Sequence, residues 1–420
     1  MIQNIIFDMG NVLISYEPKK YIEQFADKQD IDILYETIFQ SIEWIQLDRG
    51  SIEEKEAKCI FYDKLPERLH MTVDDILNNW HENLHGKNEM FYLVKQLKSK
   101  GFNLYLLSNT SKRFYHYCKK IPALSYFDGM IISADELLLK PDLDIYRRLL
   151  DKYRLVPEEC FFIDDYMLNV EAAIFLGMDG FVYKNNIKSL RRRLSRKGVL
   201  DKDLQAVIFD LDGILVSTDE MHYKAWNQLA EEIDIPFDSE KYREFRGVSR
   251  MKCLELLLDE SKENYSDAEK AAMAKRKNDL YLKYLQSLSE ENIYEGAREL
   301  LEELQANGIL TAVASSSKNA YAILEKTALL PLVDIVADGN EIAQSKPDPE
   351  VFKLAADKLG VPYESCVVIE DAKAGIQAAK SGNMRAIGVG QALKDCTEMD
   401  SYFPQIKQIT LETLKRNKVH

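Results

Sequence analysis

Asp210 and Asp212 in FDLDG stand one residue apart where an apolar run ends, so both side chains can project into one crevice. Downstream come Ser315 in ASSSKN, Lys346 in SKPDPE, and Glu370 with Asp371 in VVIED. Carboxylates gathered this way repel one another unless a hard cation neutralises them, and an all-oxygen donor set suits Mg²⁺. A lysine supplies fixed positive charge, and a serine-bearing loop offers hydroxyls and amides to phosphate oxygens. This combination predicts phosphoryl transfer, in which positioning and charge neutralisation do most of the work. One aspartate would attack phosphorus and form an aspartyl-phosphate. The other would protonate the leaving oxygen and later deprotonate the acceptor.

The same four blocks occur earlier in the chain. NIIFDMGNVLIS prefigures AVIFDLDGILVS, LYLLSNTSK prefigures TAVASSSKN, LLLKPDLDIY prefigures AQSKPDPEVF, and CFFIDDYMLNVEAA prefigures CVVIEDAKAGIQAA. Asp8 precedes Asp210 by 202 residues, Ser108 precedes Ser315 by 207, and Lys140 precedes Lys346 by 206. Four ordered blocks in near-constant register indicate a tandem duplication. The slippage falls between the first and second blocks, within helix-patterned insertions. In the first copy Gly10 occupies the place of Asp212.

Each block must be held at the end of a strand. The runs NIIF, LYLLS, CFFI and AVIF, TAVAS, CVVI are short and rich in β-branched or aromatic residues, as buried parallel strands are. Between them lie helical patterns such as EMFYLVKQLKSKG and ARELLEELQANG, each closed by glycine at the C′ position. The expected architecture is α/β: two doubly wound parallel sheets, each with its ligand crevice beyond the carboxyl ends of the strands. A helical cap is expected after the first strand of each, at about 16–86 and 218–292. The expected domains are 1–185 and 204–420, joined by a basic linker at 186–203 that reads as a solvated helix or connector.

Composition narrows the partners. The net charge of −14 excludes nucleic acid or an anionic membrane as the principal partner, while leaving room for a locally positive phosphate site. Six scattered cysteines without a Cys-x-x-Cys suggest buried free thiols, and no leader or membrane-spanning pattern is evident. A cytoplasmic enzyme acting on a small phosphorylated molecule is the expectation.

DLDG, the SSS loop, SKP and ED together resemble the four motifs of the haloacid dehalogenase superfamily of phosphotransferases. Within it, FDLDGILVSTDEMHYKAW, RGVSR, KRKND and IEDAKAGI make the second copy similar to the β-phosphoglucomutase branch. The resemblance implies interconversion of β-D-glucose 1-phosphate and glucose 6-phosphate through bound β-glucose 1,6-bisphosphate. It implies Asp210 as nucleophile and Asp212 as acid/base with its carbonyl on Mg²⁺, beside the metal-holding Glu370 and Asp371. Ser315, Ser316, Asn319 and Lys346 are implied around the transferring phosphate, with Thr218, His222 and Trp226 at the cap hinge and its first helix. Arg246, Gly247, Val248, Ser249, Arg250 and Lys277 are implied at the distal phosphate. Arg246 departs from a lysine common there, and a guanidinium can bind phosphate bidentately.

FDMGNVL, LLSNTSK and FFIDDYMLNVEAA make the first copy similar to a glucose-1-phosphatase-like branch whose first motif reads D-x-G-N. The resemblance implies a sugar-phosphate phosphatase with Asp8 as nucleophile. Ser108, Asn109 and Lys140 would then bind phosphate, and Asp8, the Gly10 carbonyl and Asp165 would hold a second Mg²⁺. An alternative makes the second copy a hexose-phosphate phosphatase and the first a catalytically silent module. The segment HENLH, His81 to His85, matches a zinc-protease pattern, but no third ligand is evident and Gly86 would end the helix at once.

Overall fold

In the computed structural model, residues 1–82, 84–245, 250–259 and 265–416 are described. They form two units, Met1–Leu200 and Asp201–His420. The first is built on β1 (Asn4–Phe7), β2 (Asn103–Ser108), β3 (Gly129–Ile132), β4 (Cys160–Asp164) and β5 (Asp179–Val182). These strands are all parallel, in the order β3-β2-β1-β4-β5. The second contains β6 (Ala206–Phe209), β7 (Leu310–Ala314), β8 (Ile335–Ala337), β9 (Cys366–Glu370), β10 (Arg385–Val389) and β11 (Ser401–Phe403). Its parallel order is β11-β10-β9-β6-β7-β8.

Both sheets centre on the strand that precedes the first aspartate. Phe7 pairs with Leu106 and Ile163, and Phe209 with Val313 and Ile369, so the sequence offsets between the copies are the register offsets of the two sheets. All four residues of β1 and all four of β6 are buried, because helices cover both faces. The helices Asn88–Ser99 and Ala297–Ala306 end as their patterns predict, with Gly101 and Gly308 at positive φ just beyond.

Helices after the first strand of each unit form the cap. In the first unit they run from Pro18–Ile22 to His70–Asn79, and in the second from Asp219–Glu232 to Asp267–Tyr284. Each cap leaves and rejoins its core through a matching pair of bridges. Gly10 pairs with Ile14 and Ile14 with Gly86; Asp212 pairs with Val216 and Val216 with Ile293.

Three details depart from the sequence reading. The basic segment is helical over Ile187–Arg196, and Leu190 and Leu194 are buried in the first unit's apolar core. Arg191 is buried with its guanidinium donating to Gln96 Oε1 at 2.6 Å, while Arg193 and Lys197 pair with Asp179, so this run is not simply solvated. Apolar residues spaced four apart gave the helix a face to bury. Next, the helix before HENLH stops at Asn79, not at Gly86. His81 is buried against Trp80 and Tyr117 whereas His85 is exposed, so the two imidazoles share no helical face. Finally, Cys160, Cys253 and Cys366 are buried thiols, but Cys59 is exposed. Among the described residues no helix is long and apolar enough to cross a membrane.

Candidate active sites

Asp8 follows β1 directly, and its backbone N–H continues the ladder to Ile163 O, so its side chain is fixed at the strand's carboxyl end. The buried Lys140 reaches Asp8 Oδ1 at 2.7 Å and Asp164 Oδ2 at 2.6 Å. Burial works against the Lys140 charge, but the two carboxylates outweigh it and hold the ammonium above its ordinary range. For Asp8 burial prevails over the lysine, pushing its carboxyl up to about 7.

The neighbouring acids are held differently. Asp164 also accepts from Asn169 Nδ2 and the Tyr166 N–H, so its oxygens are heavily engaged. Asp165 accepts from Asn11 Nδ2 at 3.0 Å, and Asn11, at φ +54°, also receives the Tyr16 N–H. Burial raises the Asp165 carboxyl. Oxygens of Asp8, Asp164 and Asp165 lie within 4.8 Å of one another. Asp164 thus enters a group expected to contain Asp8, Gly10 and Asp165. A Cβ on Gly10 would have only Asp8 Oδ2, at 3.8 Å, among its neighbours within 4 Å.

The Ser108 hydroxyl is buried without a hydrogen-bond partner, which suits a group awaiting a ligand oxygen. Asn109 turns elsewhere: its side chain donates to Lys140 O at 2.9 Å and accepts from Lys140 N at 2.8 Å. It clamps the lysine loop, where the sequence reading expected a phosphate contact.

The second site repeats this frame. Lys346 Nζ lies 2.5 Å from Asp210 Oδ1 and 2.8 Å from Glu370 Oε2, and oxygens of Asp210, Glu370 and Asp371 lie within 4.8 Å of one another. Burial raises Asp210 to about 7, with Glu370 adding to the effect. Asp371 is pushed up to about 9 by burial and then by the charges of Asp210 and Glu370. One lysine leaves three clustered carboxylates with surplus negative charge. An oxygen-only set of this kind fits Mg²⁺, as does its counterpart in the first site. Gly213 is required here by its φ of +91° and because a Cβ would come 2.1 Å from Asp371 Oδ2.

Asp212 is absent from the clustered carboxylate oxygens of Asp210, Glu370 and Asp371. Its carboxyl accepts a hydrogen bond from the Thr218 hydroxyl at the cap entrance. Burial is the main reason its carboxyl titrates above the ordinary range. Ser315 is buried and its Oγ accepts the Ser317 N–H at 3.0 Å; Ser316 is exposed on the same turn. Asn319 Nδ2 donates to Asn278 Oδ1 of the cap at 3.3 Å.

Deeper in the cap, Lys277 Nζ lies 2.8 Å from His222 Nδ1 and over the rings of Trp226 and Tyr281. Burial, then Arg250, pushes Lys277 down to about 7, and burial with the two cations keeps His222 neutral. Tyr281, one turn after Lys277 and stacked on His222 at 4.0 Å, joins this group unforeseen. Its i, i+4 spacing from Lys277 was the available signal. Arg246, Gly247, Val248 and Ser249 lie outside the described residues.

The first site also gains a cap residue that sequence reasoning missed. Asp48 stands in the last turn of the helix Ile42–Arg49, and its carboxyl faces the Ser111 backbone N–H near Asp8. Burial pushes that carboxyl up to about 7, and the charge of Asp8 reinforces the shift.

The family model for haloacid dehalogenase-like hydrolases matches residues 2–177 and again 204–383. The β-phosphoglucomutase of Bacillus subtilis is 40% identical over 213 residues, 50% of this chain and 94% of that protein. The phosphorylated carbohydrates phosphatase of Thermotoga maritima is 32% identical over 197 residues, 46% of this chain and 88% of that protein. Among solved structures, a β-phosphoglucomutase from Clostridium difficile aligns with a TM-score of 0.48 at 33% identity, covering 50% of this chain and 95% of its own.

Proposed function

The chain belongs to the haloacid dehalogenase-like hydrolase family, matching it in both halves, and we propose that it is a bifunctional sugar-phosphate enzyme. In this reading the second site is a β-phosphoglucomutase and the first a Mg²⁺-dependent sugar-phosphate phosphatase. The observation that carries it is the repeated pairing of a buried strand-end aspartate with a lysine and further carboxylates. The names of the two relatives, one a mutase and one a carbohydrate phosphatase, support phosphoryl transfer on sugar phosphates.

At the second site an Asp210 oxygen attacks phosphorus of β-glucose 1,6-bisphosphate, the bond from phosphorus to the sugar oxygen breaks, and Asp212 delivers its proton to that oxygen. The aspartyl-phosphate then passes its phosphoryl group to the 6-hydroxyl of an incoming β-glucose 1-phosphate, whose proton returns to Asp212, and the bisphosphate is re-formed. Thr218 holds the Asp212 carboxyl at the cap entrance, and Lys346 keeps Asp210 aimed. Arg250, Lys277 and the His222–Tyr281 pair receive the phosphate that is not reacting. Mg²⁺, held by Asp210, Glu370, Asp371 and the Asp212 carbonyl, would neutralise charge on the transferring phosphoryl group. At the first site Asp8 is the nucleophile, Lys140 aims it, the Ser108 hydroxyl meets phosphate, and water is the acceptor. Asp8 and Asp165, with the Gly10 carbonyl, would hold the second ion.

The test incubates the full chain with β-glucose 1-phosphate and glucose 1,6-bisphosphate. Glucose 6-phosphate should form, and Asp210→Asn should abolish it while Asp8→Asn leaves it intact. Release of inorganic phosphate without glucose 6-phosphate would overturn the mutase assignment. Phosphatase activity that persists in the Asp210→Asn chain should vanish on adding Asp8→Asn.

A further inference from the structure

Resting on the phosphatase reading of the first site, we propose that Asp48, carried by the cap, is the general acid that Gly10 cannot be. Hydrolysis of a sugar phosphate expels an alkoxide, which leaves slowly without a proton. In the second site Asp212 fills that need, steadied by the Thr218 hydroxyl. In the first, both members of this pair are replaced: Gly10 stands for Asp212 and Tyr16 for Thr218, in the same register past the bridges Gly10–Ile14 and Asp212–Val216.

The structure brings another carboxyl to the same crevice. Asp48 lies in the last turn of a cap helix that meets the core at three points. Its side chain faces the Ser111 backbone N–H, on the loop that follows the Ser108 strand. Its backbone carbonyl accepts from Ser133 Oγ, which itself accepts the Thr110 N–H at 2.8 Å. Gly50 follows so close to the core that a Cβ would come 2.2 Å from Ala134 O. The carboxyl is electrostatically coupled to Asp8, Tyr16 and Tyr117, the titratable groups that face it. Burial there favours the protonated acid near neutrality, the state a proton donor needs.

The step balances simply. Asp8 forms a bond to phosphorus, the bond from phosphorus to the sugar oxygen breaks, and the Asp48 proton moves to that oxygen. Water then attacks the aspartyl-phosphate and loses its proton to solvent, the bond from phosphorus to Asp8 breaks to release phosphate, and solvent reprotonates Asp48.

The test uses the full chain carrying Asp210→Asn, so that the first site is read alone. Turnover is measured on the best substrate of a hexose-phosphate panel and on p-nitrophenyl phosphate, whose phenolate leaves without a proton. Adding Asp48→Asn should lower kcat on the hexose phosphate by about 10²- to 10⁴-fold, the usual range for a lost general acid. On p-nitrophenyl phosphate the loss should stay below about tenfold, which also serves as the folding control. Equal losses on both substrates overturn the proposal, as does an Asp48→Asn enzyme that keeps hexose-phosphate turnover within that factor of its parent. Asp8→Asn in the same background tests the reading beneath it. If hydrolysis of both esters survives that change, the phosphatase assignment fails first; if the Asp210→Asn chain hydrolyses neither ester, both fall together.

Discussion

Asp48 carries a stability cost that follows from the same burial that makes it an acid. Its carboxyl titrates near 3.9 when unfolded and at about 7 in the folded chain, so the folded state binds the extra proton between those values. Stability from this group therefore falls as pH rises through that window, and the full cost is present above it. Asp48→Asn should accordingly raise the melting temperature of the first unit, by more at pH 8 than at pH 5. Calorimetry at the two pH values checks this, and a gain that is equal at both would count against the buried acid. Lys277 shows the opposite chemistry, an ammonium whose burial lowers it to about 7. Asp8, Lys140, Asp210 and Lys346 were legible as a group because each stands in a short motif beside an apolar strand. Asp48 was not. It lies in IEWIQLDRG, which reads only as a helix ending at glycine, and nothing local says which strand end that helix meets.

At the scale of elements, two glycines fix how closely chain segments approach. Gly213, at φ +91°, lets the loop after β6 pass against Asp371. Gly213→Ala should reduce mutase turnover by at least about a hundredfold, since an ångström-scale displacement of reacting groups costs that much. First-site hydrolysis should be unaffected in the same protein. Gly50, at φ +76°, lets the helix Ile42–Arg49 seat on Ala134. Gly50→Ala should lower the first unit's stability by more than about 1 kcal/mol, because an alanine there is strained as well as crowded. It should also depress hexose-phosphate hydrolysis by dislodging Asp48. Thermal melts with paired kinetics on the two esters separate these effects. Strands and helix ends were readable because period and glycine placement are local signals. The helix at 187–196 was read as solvated because its charge density hid a narrow apolar stripe, Leu190 and Leu194.

For the molecule as a whole, duplication has kept the sheet frame and changed the contents. The four-block repeat revealed both sheets and their central strands, since the offsets in sequence became offsets in register. What lay beyond reach was the arrangement within each cap, where the copies diverge in length and the contacts are long-range. Chelation of divalent cations should abolish both proposed activities, and Mg²⁺ should restore both, whereas Asp8→Asn and Asp210→Asn should each remove only one. Loss of just one activity on chelation would show that the two carboxylate groups do not serve the same purpose. The paired bridges, Gly10–Ile14–Gly86 and Asp212–Val216–Ile293, give the caps equivalent points of attachment. That equivalence makes each cap an exchangeable cassette. A hybrid of the first core with the second cap would inherit neither Asp48 nor a carboxylate at position 10, and its reciprocal would inherit both donors in one crevice.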